Sequence, residues 1–271
     1  MLASTACDAV LVSTPTSTHF DTACEVIGAG RHLLLEKPAA VKPGEVRRLH
    51  ELAAQAGVLF QTAFHMSRGA ETDWLAAHLT AAGSAPTPVC AFAGVFHDPL
   101  CVAGKPDPRA PSVLGSWVDS GINALSVLAR FLPAELLTVA AAHRLEATGG
   151  LVQEVQSTIT LTAPGLHGTI HTDWTRPSDL KTTALHFGNG QSWLLDHNRQ
   201  TATLYETDVS GLLPGLMIPP ISVHRCQRHS SRMVDHYLGV FSDFDAAVTH
   251  KQTNAALSIS LHGVLLQGMR S

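Results

Sequence analysis

The sequence has 271 residues, is 45% hydrophobic and 15% charged and carries a formal net charge of -4, so it is long and apolar enough for a substantial core, and large-scale disorder is not expected. Without a long Lys/Arg run it lacks the clustered positive charge that nucleic acid or an anionic membrane surface requires. Five scattered cysteines with no C-x-x-C pair suggest neither a disulfide framework nor a zinc ribbon and fit a reducing cytoplasm, while no apolar run approaches the roughly 20 residues of a bilayer span. The opening "MLASTACDAVLV" has no basic start, which argues against a signal peptide. Sixteen histidines invite a metal reading, yet none falls in H-E-x-x-H or a comparable spacing. His224, His229 and His236 in "HRCQRHSSRMVDHY" have no companion carboxylate at ligand spacing, so surface and helix-end roles are expected and no metal site.

The first third of the chain alternates. "DAVLVST" (8–14) is continuously apolar and β-branched, as a strand buried on both faces should be. "HFDTACEVIGAG" follows, with Phe20, Ala23, Cys24 and Ile27 on one helical face and Gly28 and Gly30 at its end. "HLLLE" predicts a second buried strand, "PGEVRRLHELAAQAG" a second helix with Val46, Leu49, Leu52 and Ala53 inward, and "VLFQTAF" a third strand. Strand, helix, strand, helix, strand with short joints implies right-handed crossovers and a parallel sheet. After the small-residue joint "AAGSAPTP" the rhythm changes. "VCAFAGVF" reads as a strand, then comes a Pro-rich loop from His97 to Gly115 and a helix around "DSGINALSVLARFLP" that Pro133 ends. "LLTVAAAHRL", "LVQEVQSTITLTA", "LHGTIHTDWT", "KTTALHFGNG" and "SWLLDH" predict an open antiparallel sheet with one wet face, and two helices close the chain near "SRMVDHYLGVFSDFDAAV" and "NAALSISLHGVLLQGM". The expected architecture is α/β followed by α+β: a partial Rossmann parallel sheet over residues 1–86 and an antiparallel-sheet domain over 87–271. No internal repeat is present, which excludes a solenoid.

In open parallel sheets ligands bind beyond the carboxyl ends of the strands. Two such ends carry unusual residues: "STPTSTH", where Thr14-Pro15 starts a turn and Thr16 to Thr18 are placed to cap the next helix, and Glu36-Lys37-Pro38. Adjacent strand ends lie about 5 to 10 Å apart, so both segments reach one ligand. Taken singly, each has a plain structural reading as capping or as a chain meeting water. Asp119 and Asn123, four residues apart at a helix start, project from one face, although Asp119 also suits a helix N-cap.

"DAVLVSTPTSTHFDTACEVIGAGRHLLLEKPAA" together with "DSGINALSVL" resembles the glucose-fructose oxidoreductase, inositol dehydrogenase and rhizopine catabolism (Gfo/Idh/MocA) family of nicotinamide-dependent oxidoreductases, over nearly the whole chain. The D-x-G-I-N-A-L-S variant is similar to that of bacterial L-arabinose and D-galactose 1-dehydrogenases; "WTR" and "AFHMSR" look like the same subgroup. The resemblance implies that Thr14, Pro15 and His19 line the nicotinamide-ribose part of a cofactor cleft, that Glu36 binds a ribose hydroxyl, and that Lys37 reaches the oxygen on the reacting carbon. Pro38 would fix the backbone there; only proline makes a cis bond accessible at such a place. Lys37 and Asp119 would share the proton transfer, and Asn123, standing where most relatives carry histidine, would bind a sugar hydroxyl. His65, Arg68 and Trp174, with Trp117, are weaker candidates for sugar contact.

The sequence contains no G-x-G-x-x-G turn, the element that cradles a dinucleotide pyrophosphate. The expectation is therefore that the chain begins at the family's fourth Rossmann strand, roughly 50 to 60 residues in, and that it binds NAD or NADP weakly or not at all. Two readings follow: an NAD(P)-dependent sugar 1-dehydrogenase, or a non-catalytic binding or regulatory relative. A homodimer or homotetramer through the C-terminal sheet is a further implication of the resemblance.

Overall fold

The computed structural model describes residues 7–81, 87–108, 110, 114–147, 153–207 and 219–270. Strand β1 (Ala9–Val12) leads through a 3₁₀ turn (Thr16–Thr18) into α1 (His19–Gly28), and β2 (His32–Glu36), α2 (Glu45–Ala56) and β3 (Phe60–Ala63) follow. The strands lie in the order β1-β2-β3 and pair in parallel, as the crossover helices require. Leu33 and Leu35 join Val26, Ile27, Val46 and Leu49 in one core. Leu34 points to the other face of the sheet, against Ala63 and Val240, so the leucine run is buried on both sides because side chains alternate along a strand. The inward stripe of α1 is His19, Ala23, Val26 and Ile27, rotated from the expected Phe20 and Cys24, which are only half-buried. The polar His19 is drawn inward by the two carbonyls described below.

Helix α3 (Ala70–Ala81) was not legible as a helix. Its apolar residues surround the axis instead of forming a stripe, and it packs with Phe64 and Met66 into the core of the larger sheet. The expected joint at 86/87 lies in 82–86, outside the described residues. The larger sheet comprises β4 (Val89–His97), β7 (Thr138–Ala147), β8 (Gln153–Ala163), β9 (Leu166–Asp173), β10 (Leu180–Phe187), β11 (Ser192–Asp196), β12 (Thr201–Tyr205) and β13 (Ser222–Arg225), while β5 (Cys101–Val102) and β6 (Lys105–Pro106) form a separate small hairpin. Its order is β13-β12-β11-β10-β4-β9-β8-β7. The sheet is mixed, not purely antiparallel as expected: β4 inserts between β10 and β9, antiparallel to the first and parallel to the second. β12 and β13 were not foreseen, being short segments with little apolar pattern.

Helix α4 (Ile122–Leu128) is buried on every side and is entered through a π-helical turn, Trp117–Gly121. Helices α5 (Arg232–His250) and α6 (Ala255–Arg270) complete the described chain. Trp117 is wedged between α4 and α6, donating its indole N–H to Leu265 O at 2.9 Å. Gly121 and Gly268 make room for it: a Cβ at either would sit 2.3 or 2.7 Å from the indole. Among the described residues no helix is long and apolar enough to cross a membrane.

Candidate active site

The carboxyl end of β2 carries Glu36, Lys37 and Pro38, and the Lys37–Pro38 peptide bond is cis. Two buried histidines hold this turn. The ring of His19 lies between the two strand-end segments, with Nδ1 2.8 Å from Pro38 O and Nε2 2.8 Å from Thr14 O. His19 thus ties the two turns together from a buried position. On α6, His262 donates from Nδ1 to Ser258 O (2.6 Å) and accepts the Ala39 N–H at Nε2 (2.9 Å). That pattern requires a neutral ring, and burial pushes its pKa down to about 4. Thr18 does not cap α1; its hydroxyl lies 2.9 Å from both Thr14 Oγ1 and Pro15 O, closing the T-P turn on itself.

Asp119 approaches from the other unit. The start of its helix is fixed by Glu154 of β8, whose carboxylate accepts the Trp117 N–H (2.8 Å) and the Ser116 hydroxyl (2.5 Å), a favourable place for an anion. Asp119 is therefore no N-cap. The π turn, a distortion frequent at functional sites, carries its carboxylate to Lys37: Nζ donates to Oδ1 at 2.6 Å and to Asp119 O at 2.9 Å. The two side chains retain only 10% and 21% of their exposure. Of the three ammonium hydrogens two are committed here, which leaves one for a ligand oxygen. One turn further, Asn123 donates from Nδ2 to Asp119 O (3.2 Å), while its Oδ1 is buried without a partner.

A third wall, unforeseen from the sequence, comes from α5. Tyr237 donates its hydroxyl to Glu36 Oε1 at 2.7 Å, and the Lys37 N–H donates to Glu36 Oε2 at 3.2 Å. Burial, and then Glu36, push the phenol pKa up, so it remains a donor. His65 stacks on Tyr237 with ring centroids 5.5 Å apart, and its Nδ1 lies 3.5 Å from His236 Nδ1. Burial, then the Lys37 charge, hold His65 well below the usual imidazole range, and burial holds His236 at about 4. Both rings are neutral at pH 7. His236 is fully buried, which corrects its expected surface role; the H-x-x-x-x-x-x-H spacing of its segment gave no hint of the side that faces inward.

Other sequence candidates are placed elsewhere. Arg68 is engaged by Asp73 at 3.0 Å and Asp243 at 3.2 Å, tying the 65–68 turn to α3 and α5. Trp174 is fully buried among Leu100, Cys101, Ala110 and Val155 and offers no ring face to a sugar; Trp117 is a core residue likewise. Trp174→Phe, which also removes an indole nitrogen buried without a partner, is expected to leave the KM for any sugar unchanged and to shift the thermal midpoint only slightly, as steady-state kinetics and a melt would show.

Residues 1–64 match the model of an oxidoreductase family with an NAD-binding Rossmann fold, GFO_IDH_MocA. That match carries the family likeness over the N-terminal segment alone. The match takes in Thr14, Pro15, His19, Glu36, Lys37 and Pro38 and stops one residue before His65. The whole chain shares its fold with larger solved proteins. GenD2 from gentamicin A biosynthesis, in complex with NAD, is 20% identical with a TM-score of 0.76, over 100% of this chain and 77% of that one. D-galactose-1-dehydrogenase from Rhizobium etli is 18% identical at 0.72, over 97% and 76%. KijD10, a 3-ketoreductase from Actinomadura kijaniata in complex with NADP, is 17% identical at 0.72, over 95% and 75%.

Proposed function

We propose that this chain is an NAD(P)-dependent oxidoreductase that oxidises an aldose at C1. The observation that carries the reading is the meeting of the Lys37 ammonium with the Asp119 carboxylate, beside an unpartnered Asn123 Oδ1, at the carboxyl end of a parallel sheet. These residues fit the nicotinamide end of the cofactor: Thr14 and Pro15 would flank it and Glu36 would offer a carboxylate to a ribose hydroxyl, in the place that Tyr237 holds in this structure. When bound, the cofactor supplies the hydride acceptor. The proton is left to the protein. Asp119 accepts it from the sugar hydroxyl, the remaining Lys37 N–H steadies the negative charge that develops on that oxygen, and Asn123 Oδ1 accepts a hydrogen bond from a neighbouring hydroxyl. Neutral His65 and His236 add no competing positive charge.

The second reading, a non-catalytic ligand-binding relative, is favoured by the Tyr237 hydroxyl that already occupies Glu36 Oε1. Two measurements separate them. Titration with NADH and NADPH, followed by nicotinamide fluorescence, is expected to show weak but saturable binding. Turnover of D-galactose and L-arabinose is expected to slow with deuterium at C1 and not at C3. Saturable sugar binding with no cofactor binding would establish the second reading; an isotope effect at C3 alone would move the reaction to that carbon.

A further inference from the structure

Away from the active site, the ends of β4 and β9 gather three side chains for which the chemistry above has no use. The strands run parallel, with Val95 opposite His171 and His97 opposite Asp173, so His97, His171 and Asp173 share one face of the sheet. It is the face turned from α4, because the alternate residues Phe92 and Phe96 enter the core and Gly94 approaches Ala124. One ligand atom from each of the three lies within 4.8 Å of the other two. His171 is oriented by Thr158, whose hydroxyl is 2.9 Å from Nδ1. Its Nε2 is then turned to the cluster, 3.9 Å from Asp173 Oδ2. His97 Nε2 is shut off from solvent with no hydrogen-bond partner, a situation that ordinarily costs about 1–3 kcal/mol. The two rings meet edge to face, with centroids 5.5 Å apart at 83°, and so do not close the space between them by stacking.

We propose that His97, His171 and Asp173 form a binding site for a divalent transition-metal cation of the zinc class. Two imidazoles and a carboxylate suit zinc, and equally its cobalt probe, in preference to magnesium or calcium, which favour all-oxygen shells. Donors bonded at about 2.0–2.1 Å in a tetrahedral set stand about 3.4 Å apart, so closing the cluster takes side-chain shifts of about 1 Å. A water on the solvent side fills the fourth position. Asp173 is already a fixed carboxylate. Its Oδ1 accepts the Thr175 N–H (2.7 Å) and hydroxyl (2.6 Å), and its Oδ2 accepts from Gln156 Nε2 (3.0 Å) and Arg176 Nε (3.1 Å). Arg176 is the cation's competitor for Oδ2. With its side chain 60% exposed, it is free to swing into water when a metal takes that oxygen.

The next residue after His97 connects this site to the first one. Asp98 Oδ2 accepts the Ser120 hydroxyl at 2.6 Å and Asp98 Oδ1 accepts from Lys181 at 2.5 Å, and Ser120 adjoins Asp119 in the π turn. A bound cation therefore braces the strand end that supports that turn. The only local signal is the H-x-D pair His171 and Asp173 of β9, because His97 comes from a separate strand, β4.

The test uses tag-free, EDTA-stripped protein titrated with Co2+ by visible absorption and with Zn2+ by calorimetry. The expected result is one cobalt per chain with the d–d bands of a four- or five-coordinate ion, displaced by zinc. His97→Gln and His171→Gln should each weaken binding at least about tenfold, and Arg176→Gln should strengthen it; far-UV spectra and metal-free melts that match the parent confirm that the variants fold. Binding of unchanged affinity in both folded histidine variants would place the metal on other histidines and overturn the proposal, as would the lack of any cobalt bands at millimolar concentration.

Discussion

Lys37→Met is expected to lower aldose turnover at least about 10³-fold while leaving the NADH dissociation constant within about a factor of three. On the proposed mechanism the variant removes the ammonium that faces the reacting oxygen, and general acid–base and electrostatic contributions of this kind are each worth about 10²–10³ in rate. It also strips Asp119 of its partner at 2.6 Å, so the carboxylate loses the group that fixes its direction. Lys37→Arg should rescue little, because a planar fork replaces a point donor in a space that already has two contacts to Asp119. Single-turnover rates beside fluorescence titration make the measurement. Turnover within tenfold of the parent would take Lys37 out of the chemistry, even if binding of the cofactor stands.

Much of this site was legible because strand ends of a parallel sheet are few and their residues are consecutive. "HLLLEKP" announces a buried strand that stops on polar groups, and topology does the rest. The helix start at "DSGINALS" placed Asp119 and Asn123 on one face, and only the family resemblance implied that Asp119 works with Lys37. The details did not follow. That Asp119 sits in a π turn capped by Glu154 depends on a strand more than a turn away in sequence and adjacent only in space. Tyr237 and His236 lie in a helix whose inner face is set by what it covers, so His236 was expected at a surface or helix end. Trp174 differs in the opposite sense: its sequence context made it a weaker candidate for sugar contact, and only the tertiary packing shows that its ring is enclosed. Helix α3 was lost for a related reason, since a helix wrapped by core on several sides shows no stripe.

Acid should destabilise this protein between about pH 6.5 and pH 4, and His262 should account for a measurable share. The native state holds its ring neutral with a pKa of about 4, against about 6.5 for the unfolded chain. Above pH 6.5 neither state takes up the proton, and the contribution of this group is constant. As the pH falls below 6.5 the unfolded chain binds a proton that the native ring refuses, so stability declines until the folded pKa is reached and then levels. For this fully buried ring the linkage amounts to about 3 kcal/mol; His236, also at about 4, adds in the same direction. His262→Leu separates the two roles of the ring. At pH 7.5 it leaves the Ala39 N–H buried and unpaired and should cost about 1–3 kcal/mol. Between pH 6.5 and 4 its stability should fall less steeply than that of the parent, by close to one proton's worth, about 1.4 kcal/mol per pH unit. Urea denaturation at half-unit steps gives both numbers. Parallel slopes would mean that the ring titrates alike in both states, and that the Ala39 bond does not depend on its neutrality. Because Ala39 follows Pro38, protonation of His262 acts on the same turn that aims Lys37, which links the acid stability of the fold to the geometry of its site.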